Sequence, residues 1–444
     1  MKIRPVKGTR DFYPPDMVIH NFILDGWKKV SLRNGFEEYD GPIFEYLKMF
    51  QIKSGDEIVE QLFSLKDRGD RDLAIRPEIT PTLARMVNQQ INSLPRPIKW
   101  FSVPRLCRAE RPQKGRLREF FQWNIDIIGV DDVLADAEVI FTTVDYLRQV
   151  GLTSDQVKVK TSSRKLLAAV LKKTGIPDAD LESLYTLLDK RTKLPAETFK
   201  AMLAEQVPDP EAARKVEAFM EVKKVPEIKK IVEVKPNDEV DQGIDELAML
   251  EHWLKLMGIA DYYVFDPSIV RGLAYYTGVV FEVHDIVGEL RAICGGGRYD
   301  NLLHDFGGPS IPATGMGMGD CVLEILLENA GLLGQHLARN KLDYFIASVP
   351  TTTTDDEQGK HISTPKEEAV KLAAVLRKKG FCADFSYKSI GLGKQLKQAS
   401  DKNASKCIII GDEFRNGQLA VKDMATGEQK LVDVDDFLSE LDSL

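Results

Sequence analysis

The sequence contains little cysteine, and its few cysteines are not spaced for cross-linking or metal binding. The 444 residues include five cysteines, an odd number, and no Cys-x-x-Cys pair. Disulfide frameworks and zinc sites use paired or closely spaced cysteines. We therefore expect reduced thiols, a cytoplasmic location and no metal ion held by the protein alone.

Long apolar runs and common nucleotide-binding patterns are also missing. No apolar run approaches the roughly 20 residues that a membrane-spanning helix requires. The first residues, MKIRPVKGTRDFYPP, lack the apolar core of a signal peptide, so we expect neither membrane insertion nor secretion. The glycine-rich run TGMGMGD at 314–320 has the spacing of neither a P-loop nor a dinucleotide-binding turn.

The overall charge is low, and the composition is that of an ordinary globular protein. The formal net charge of −8 argues against general attraction to nucleic acid, although a local basic patch can still bind phosphates. Apolar residues make up 43% and charged residues 29% of the chain, and its length suggests two or three domains.

Residues 100–130 predict a strand, a basic loop and a second strand. The loop at 111–118 contains Pro112, Gly115 and four cations, which is typical of a longer hairpin tip. Side chains alternate between the two faces of a strand. In the second strand Phe121, Trp123, Ile125 and Ile127 share one face, and Gln122, Asn124 and Asp126 share the other. The polar face is either a solvent-exposed side of an antiparallel sheet or a surface for a small, zwitterionic, phosphorylated ligand.

The rest of the chain predicts helices and strands in alternation. Asp16 and Thr80 are predicted to cap the helices at 16–34 and 81–90. The charged segment at about 175–240 predicts a helical insertion forming a separate small lobe. Further elements are a hairpin at 61–66 and 73–75, helices at 136–150, 163–174 and 321–329, and strands at 157–160 and 262–266.

A second type of pattern occupies 342–444, after a linker at 331–341. About a hundred residues alternate between strand and helix, which predicts one small α/β domain. Four lysines in this part, Lys388, Lys394, Lys397 and Lys402, serve either for solvation or for an RNA-facing surface.

Taken together, these segments resemble the class II aminoacyl-tRNA synthetases and, within that class, the histidyl-tRNA synthetase family. CRAERPQKGR at 107–116 resembles motif 2, and RGLAYYTGVVFE at 271–282 resembles the histidine-specific signature; RPE at 76–78 and GGGRYD at 295–300 add two matches. The resemblance implies an α+β fold: a catalytic core at 1–330 built on an antiparallel sheet flanked by helices, the helical insertion, and an anticodon-binding-type domain at 342–444. It also implies a homodimer built partly on the helix and strand that end at Pro42.

The resemblance further implies a histidine–tRNA ligase that uses ATP and Mg²⁺. Such an enzyme converts L-histidine to histidyl-adenylate and then transfers it to the 3′ end of tRNA(His). Attack of a carboxylate on the α-phosphorus requires positioning and charge neutralisation, for which arginine is well suited. The family assigns histidine binding to Glu78, Ile79, Thr80, Arg108, Gln122, Asp126, Arg271, Tyr275, Tyr276 and Tyr299, ATP binding to Arg108, Glu110, Arg116, Gly317 and Gly319, and catalysis to Arg271 and Arg108.

This sequence departs from the family pattern at three positions. The arginine of motif 3 is missing from the run GDCVL at 319–323, Ala274 replaces a frequent Asp, and Asp126 stands where other members carry Glu. We expect another cation, Arg116 or Arg298, to replace the missing arginine in ATP binding. Otherwise, amino-acid activation would be impaired.

Two other functions are compatible with parts of this pattern. Synthetase-like chains serve as histidine-sensing, non-charging regulatory subunits of ATP phosphoribosyltransferase, but these usually lack the C-terminal domain, whose family-like run here is GKQLKQA at 393–399. A scaffold that only binds RNA would lose the amino-acid pocket, and Glu78, Gln122, Arg271 and Tyr276 argue against it.

Overall fold

The structure, a computed structural model, describes residues 3–52, 62–191, 194–270, 275–334, 342–349 and 363–441. The chain divides into two compact units, Met1–Gly334 and Gln335–Leu444. The strands of the first unit are β1 (Glu37–Glu38), β2 (Phe44–Tyr46), β3 (Phe63–Lys66), β4 (Asp72–Ile75), β5 (Ile98–Ser102), β6 (Arg105–Cys107), β7 (Glu119–Ile128), β8 (Val157–Ser163), β9 (Tyr263–Phe265), β10 (Val279–Asp285), β11 (Cys294–Arg298) and β12 (Ala313–Gly319).

A nine-stranded sheet forms the centre of this unit. Its order is β1-β5-β7-β12-β11-β10-β8-β9, and β6 also pairs with β7. The β1–β5 and β8–β9 pairs are parallel, and the other pairs are antiparallel. The predicted first strand of the hairpin is split into β5 and β6, because Pro104 between them has no N–H group for the ladder. Strands β2, β4 and β3 form a separate small sheet that includes the predicted hairpin.

The helices of the first unit lie close to their predicted positions, but two caps were predicted wrongly. Tyr13 is the N-cap of the first helix, and Asp16 in the first turn accepts a hydrogen bond from the Tyr13 N–H at 3.0 Å. Ile79 is the N-cap of the third, so Thr80 is its first helical residue. Each helix starts early because a proline, which has no N–H to satisfy, fits its first turn. In chain order the helices are α1 (Pro14–Arg33), α2 (Leu47–Gln51), α3 (Thr80–Gln90), α4 (Val133–Gln149), α5 (Arg164–Lys173), α6 (Leu181–Asp189), α7 (Ala196–Gln206), α8 (Pro210–Met220), α9 (Glu239–Leu256), α10 (Leu302–Asp305) and α11 (Asp320–Asn329).

One face of the central sheet packs against helices and forms the main hydrophobic core. Trp123, Ile125 and Ile127 of β7 are almost completely buried there, as their alternation predicts. Trp123 stacks on Trp27 of α1 at 6.3 Å, and its indole N–H donates to Ser31 Oγ at 2.8 Å. The opposite face of β7 is therefore the polar one.

The predicted insertion is helical, but it is not a separate lobe. Leu184 of α6, Phe199 of α7 and Phe219 of α8 are buried in the same hydrophobic cluster as Leu167 of α5 and Leu250 of α9. The segment carries enough apolar side chains to extend the main core, although its charged surface makes it look independent in the sequence.

The second unit has the predicted α/β pattern. Its elements are β13 (Leu342–Ser348), α12 (Pro365–Lys378), β14 (Ala383–Phe385), α13 (Leu392–Asp401), β15 (Ala404–Ile410), β16 (Gln418–Asp423), β17 (Gln429–Asp433) and α14 (Val434–Glu440). The strands form one sheet in the order β14-β13-β15-β16-β17, in which β13 is parallel to both neighbours and the last three strands are antiparallel.

Candidate active site

The polar face of β7 lies beside a row of glycines on β12. Gln122, Asn124 and Asp126 pair directly with Gly319, Gly317 and Gly315. A Cβ atom at Gly315 would overlap Asp126 Oδ1, and one at Gly317 would come within 2.8 Å of Gln122 Nε2. The glycines therefore allow the polar side chains of β7 to lie across the neighbouring strand.

This polar face is not the solvent-exposed surface that was one of the two interpretations. Asn124 is only 5% exposed and Asp126 only 4%. Antiparallel sheets often leave one face to water, but here aromatic side chains cover the polar one. Burial argues against the solvent-exposed interpretation, and the interpretation as a binding surface stays a prediction.

Three of the tyrosines predicted to bind histidine lie together with Asp126 on this face. The Tyr299 hydroxyl donates a short hydrogen bond to Asp126 Oδ1. The Tyr275 ring lies 4.9 Å from the Tyr276 ring and 5.9 Å from the Tyr299 ring, measured between centroids. Burial raises the pKa of Asp126 to about 7, although the hydrogen bond from Tyr299 opposes this shift.

Glu78 and Arg108 form a second group beside the same sheet. Arg108 Nε donates to the Pro77 carbonyl at 3.0 Å, and its guanidinium lies 5.2 Å from the centre of the Phe120 ring. Burial raises the pKa of Glu78, and the positive charge of Arg108 opposes that shift. The next residue, Ile79, is buried, and Thr80 is half-buried at the start of α3.

An ion pair at the basic loop joins two of the residues predicted to bind ATP. Arg116 forms a close ion pair with Glu110, whose side chain is 7% exposed. At the loop tip, Gly115 has a φ of +72°, and a Cβ there would lie 3.0 Å from Val322 Cγ2. The loop tip therefore packs onto the run in which the motif 3 arginine is missing.

A cation that the sequence analysis did not select reaches this loop tip. Arg291, in the connection between β10 and β11, donates from Nη2 to Gln113 Oε1 at 2.9 Å. Its side chain is exposed, so its charge is available to a ligand beside the loop. No sequence pattern points to Arg291, because the contact depends on how two distant loops meet.

Arg298, proposed above as a replacement for the missing arginine, does not lie at this site. It is 5% exposed, and it donates to Asp136 Oδ2 from Nε at 3.0 Å and from Nη2 at 2.6 Å. It also donates to the carbonyls of Val130 and Asp132. Gly295 and Gly297 of β11 pair within the glycine row, so alternation turns Arg298 to the other face of the sheet. This prediction is wrong, and Arg298 instead holds the start of α4.

Two residues from the sequence analysis have no described position, and one carboxylate on the polar face was overlooked. Arg271 and Ala274 lie outside the described residues. Glu282 of β10 was overlooked: it pairs with Gly295, on the same face as the glycine row, and its Oε2 lies 2.8 Å from His284 Nε2. Only the register between β10 and β11 reveals this position.

Neither a protein-held metal site nor a membrane helix is found within the described ranges. They contain no group of three or more His, Cys, Asp or Glu side chains arranged to hold a metal ion. None of the helices in the same ranges is long and apolar enough to cross a membrane.

Sequence comparison identifies relatives over nearly the whole chain. A family model described as histidyl-tRNA synthetase matches residues 8–319, and one described as an anticodon-binding domain matches residues 349–444. The chain is 38% identical over 436 residues to the chloroplastic/mitochondrial histidine–tRNA ligase of Arabidopsis thaliana, covering 98% of this chain and 86% of that protein. It is 34% identical to the histidine–tRNA ligase of Thermoplasma volcanium, covering 100% of this chain and 99% of that protein.

The chain belongs to the histidyl-tRNA synthetase family. It is therefore an aminoacyl-tRNA synthetase, and the α+β fold expected from the resemblance is confirmed. A histidyl-tRNA synthetase structure from Staphylococcus aureus matches with a TM-score of 0.73 and 25% identity, covering 99% of this chain and 100% of that one. A histidyl-tRNA synthetase structure from Nostoc sp. PCC 7120 has the same fold, with a TM-score of 0.78, 23% identity and coverage of 100% and 99%.

Proposed function

We propose that this synthetase activates L-histidine with ATP to histidyl-adenylate and pyrophosphate, and then transfers histidine to the 3′ end of tRNA(His). The observation that carries this proposal is the cluster in which Tyr299 donates to the buried carboxylate of Asp126 and Tyr275 packs against both Tyr276 and Tyr299. Aromatic side chains around one carboxylate suit an imidazole side chain, which has apolar faces and a hydrogen-bonding edge.

Glu78 and Arg108 supply complementary charges for the two ends of the amino acid. Glu78 would bind the ammonium group, and Arg108 would bind the carboxylate and the α-phosphate. With Arg271, which we assign as the second catalytic cation, Arg108 neutralises charge as a carboxylate oxygen attacks the α-phosphorus and pyrophosphate leaves. No side chain has to take a proton in this step.

The remaining predicted residues would bind the rest of the substrates. Gln122 lies beside Gly317 and would hold the histidine amino group, while Gly319 leaves open space beside β12. Glu110 would bind the adenine edge and Arg116 the outer phosphates, so ATP would have to replace their mutual ion pair.

Magnesium fits this site as a partner of ATP. Mg²⁺ is usually bound by substrate phosphates with one or two carboxylates. Glu282, on the glycine-lined face, is a carboxylate that would join the phosphates as a ligand. Bound Mg²⁺ would neutralise phosphate charge.

Binding of tRNA and assembly into a homodimer are proposed on surface features. In the second unit Lys388, Lys394 and Lys397 are exposed cations that suit a phosphate backbone. In the first unit Phe44 and Tyr46 of β2 and the preceding Ile43 are about half exposed, which suits an interface with a second copy. A cytoplasmic location stays a prediction, since the Arabidopsis relative is named as organellar.

A histidine-sensing regulatory role is the second candidate. The same fold occurs in a structure described as an ATP phosphoribosyltransferase regulatory subunit/histidyl-tRNA synthetase from Bacillus halodurans C, with a TM-score of 0.73 and 22% identity, covering 93% of this chain and 98% of that one. The missing motif 3 arginine favours this candidate, whereas the match to the anticodon-binding domain favours the ligase.

Histidine-dependent exchange of labelled pyrophosphate into ATP separates these two functions. We expect purified protein with Mg²⁺ and no tRNA to catalyse exchange with histidine and with no other standard amino acid. Histidine binding measured by calorimetry without any exchange would instead support the regulatory role.

A further inference from the structure

Tyr39 lies next to Asp126 although the two residues are far apart in the sequence. It follows β1, and its backbone N–H donates to the Phe101 carbonyl at 2.9 Å, which extends the pairing with β5. Its ring lies 5.6 Å from the Trp100 ring, and Trp100 pairs directly with Asp126 across β5 and β7. Tyr39 therefore belongs to the polar side of the sheet.

Two buried polar atoms in this region have no hydrogen-bond partner among the described residues. They are the Tyr39 hydroxyl and Asp126 Oδ2. Burial, followed by the charges of Asp126 and Asp40, raises the pKa of Tyr39, while Arg76 opposes the shift. The hydroxyl and the carboxylate are thus close enough to interact electrostatically without a direct hydrogen bond. Buried polar groups are normally paired, which makes these two atoms candidates for contact with a ligand.

The neighbouring aromatic residues do not provide that group. Tyr39 is 7% exposed and shares a hydrophobic cluster with Tyr276 and Tyr299. Tyr299 already uses its hydroxyl on Asp126 Oδ1, the other oxygen of the carboxylate. Packing alone would be served equally well by phenylalanine at position 39, which would leave no unpaired hydroxyl.

We propose that Tyr39 is a further specificity residue of the histidine pocket, where its hydroxyl and Asp126 Oδ2 bind the two nitrogens of the imidazole ring. This inference rests on the proposed function, because it assumes that the pocket receives histidine. A neutral imidazole has one N–H donor and one nitrogen acceptor. Asp126 Oδ2 accepts from the N–H, and the Tyr39 hydroxyl donates to the other nitrogen. Both unpaired atoms are then satisfied by one ligand.

This arrangement predicts selection against side chains that retain only half of the imidazole edge. Pyrrol-2-ylalanine and pyrrol-3-ylalanine have one N–H but no second nitrogen. They can bind Asp126 while leaving the Tyr39 hydroxyl unpaired. A site built to hydrogen-bond a substrate group discriminates against an analogue that lacks it.

The test compares Tyr39→Phe with the wild-type enzyme in pyrophosphate exchange. We expect the variant to raise KM for histidine about tenfold, the equivalent of one ordinary hydrogen bond, with KM for ATP unchanged. The preference for histidine over the pyrrole analogues should fall by the same factor. Tyr146→Phe is the matched control, because Tyr146 is a buried tyrosine of α4 in the main core whose hydroxyl also has no partner among the described residues.

Several outcomes would overturn the proposal. One is an unchanged KM for histidine, and another is an equal loss for histidine and the analogues, which would indicate a structural effect. If Tyr39→Phe melts far below Tyr146→Phe, its kinetics would reflect instability, and the test then uses the wild-type protein alone. Equal affinity of the wild-type protein for histidine and for the pyrrole analogues, measured by calorimetry, contradicts the proposal. A wild-type protein that neither exchanges nor binds histidine would refute the proposed function itself, and the Tyr39 proposal with it.

Discussion

Replacing Arg298 by methionine should destabilise the protein strongly and leave ATP binding unchanged. The guanidinium is 5% exposed and makes four hydrogen bonds, two to Asp136 and two to backbone carbonyls. Methionine preserves apolar volume but leaves the Asp136 carboxylate buried without its cation. Breaking a buried pair in this way typically costs about 3–5 kcal/mol.

The effect should depend on pH in a defined direction. Burial raises the pKa of Asp136 to about 6 even with Arg298 present, and loss of the cation raises it further. The unfolded chain releases this proton near pH 4, well before the folded variant does. The stability of Arg298→Met should therefore fall as pH rises from 4 towards the folded pKa. Adding Asp136→Asn should recover part of the loss, because no charge then remains to be buried.

Two measurements check this prediction. Urea unfolding at several pH values measures the loss of stability and its pH dependence. Pyrophosphate exchange well below the melting transition measures ATP binding. Arg68→Met is the control, since Arg68 is exposed and its loss should change stability by less than about 0.5 kcal/mol. The reasoning is refuted if Arg298→Met unfolds like the wild type while its KM for ATP rises tenfold. That result would mean that Arg298 contacts ATP after all.

Four further outcomes are expected. Arg291→Ala should raise KM for ATP about tenfold, as for loss of one charged contact, without changing KM for histidine in the exchange assay; unchanged ATP kinetics would exclude it as the replacement cation. Because the pKa of Asp126 is raised to about 7, wild-type stability should fall between pH 4 and 7 more steeply than that of Asp126→Asn in parallel melting curves; coincident slopes would contradict this. Arg271→Ala should abolish exchange while the fold and oligomeric state by chromatography stay intact; near-normal exchange would disprove its catalytic role. Removing residues 343–444 should weaken tRNA charging far more than exchange; equal losses would indicate a role in folding.

Local patterns in the sequence predicted what depends on neighbouring residues. The alternation along β7 correctly separated Trp123 and Ile125 from Gln122 and Asp126, because side-chain direction in a strand depends only on position. The alternation of strands and helices in the second unit was also predicted, because each element has its own local sequence pattern. Most helix ends were also predicted to within a few residues.

Features that depend on the register between distant strands could not be predicted. Arg298 follows the GGG run in the sequence and looked accessible to ATP, yet the pairing of β11 with β12 turns it to the opposite face. The approach of Arg291 to Gln113 and of Tyr39 to Asp126 depends on how separate segments meet. No local pattern in the sequence contains that information.

The combination of burial and incomplete hydrogen bonding is what makes the polar face of β7 a candidate site. A polar face that served only the fold would be paired internally, since each unsatisfied buried group costs about 1–3 kcal/mol. Here Asp126 Oδ2 and the Tyr39 hydroxyl are buried without partners in the described part of the chain, and burial raises the pKa values of both Asp126 and Glu78. Folding thus keeps carboxylates and a hydroxyl donor in a conformation that a ligand would satisfy. Because that cost is met during folding, such a site would not have to reorganise when a ligand binds, which is how preorganised electrostatic sites gain affinity and rate.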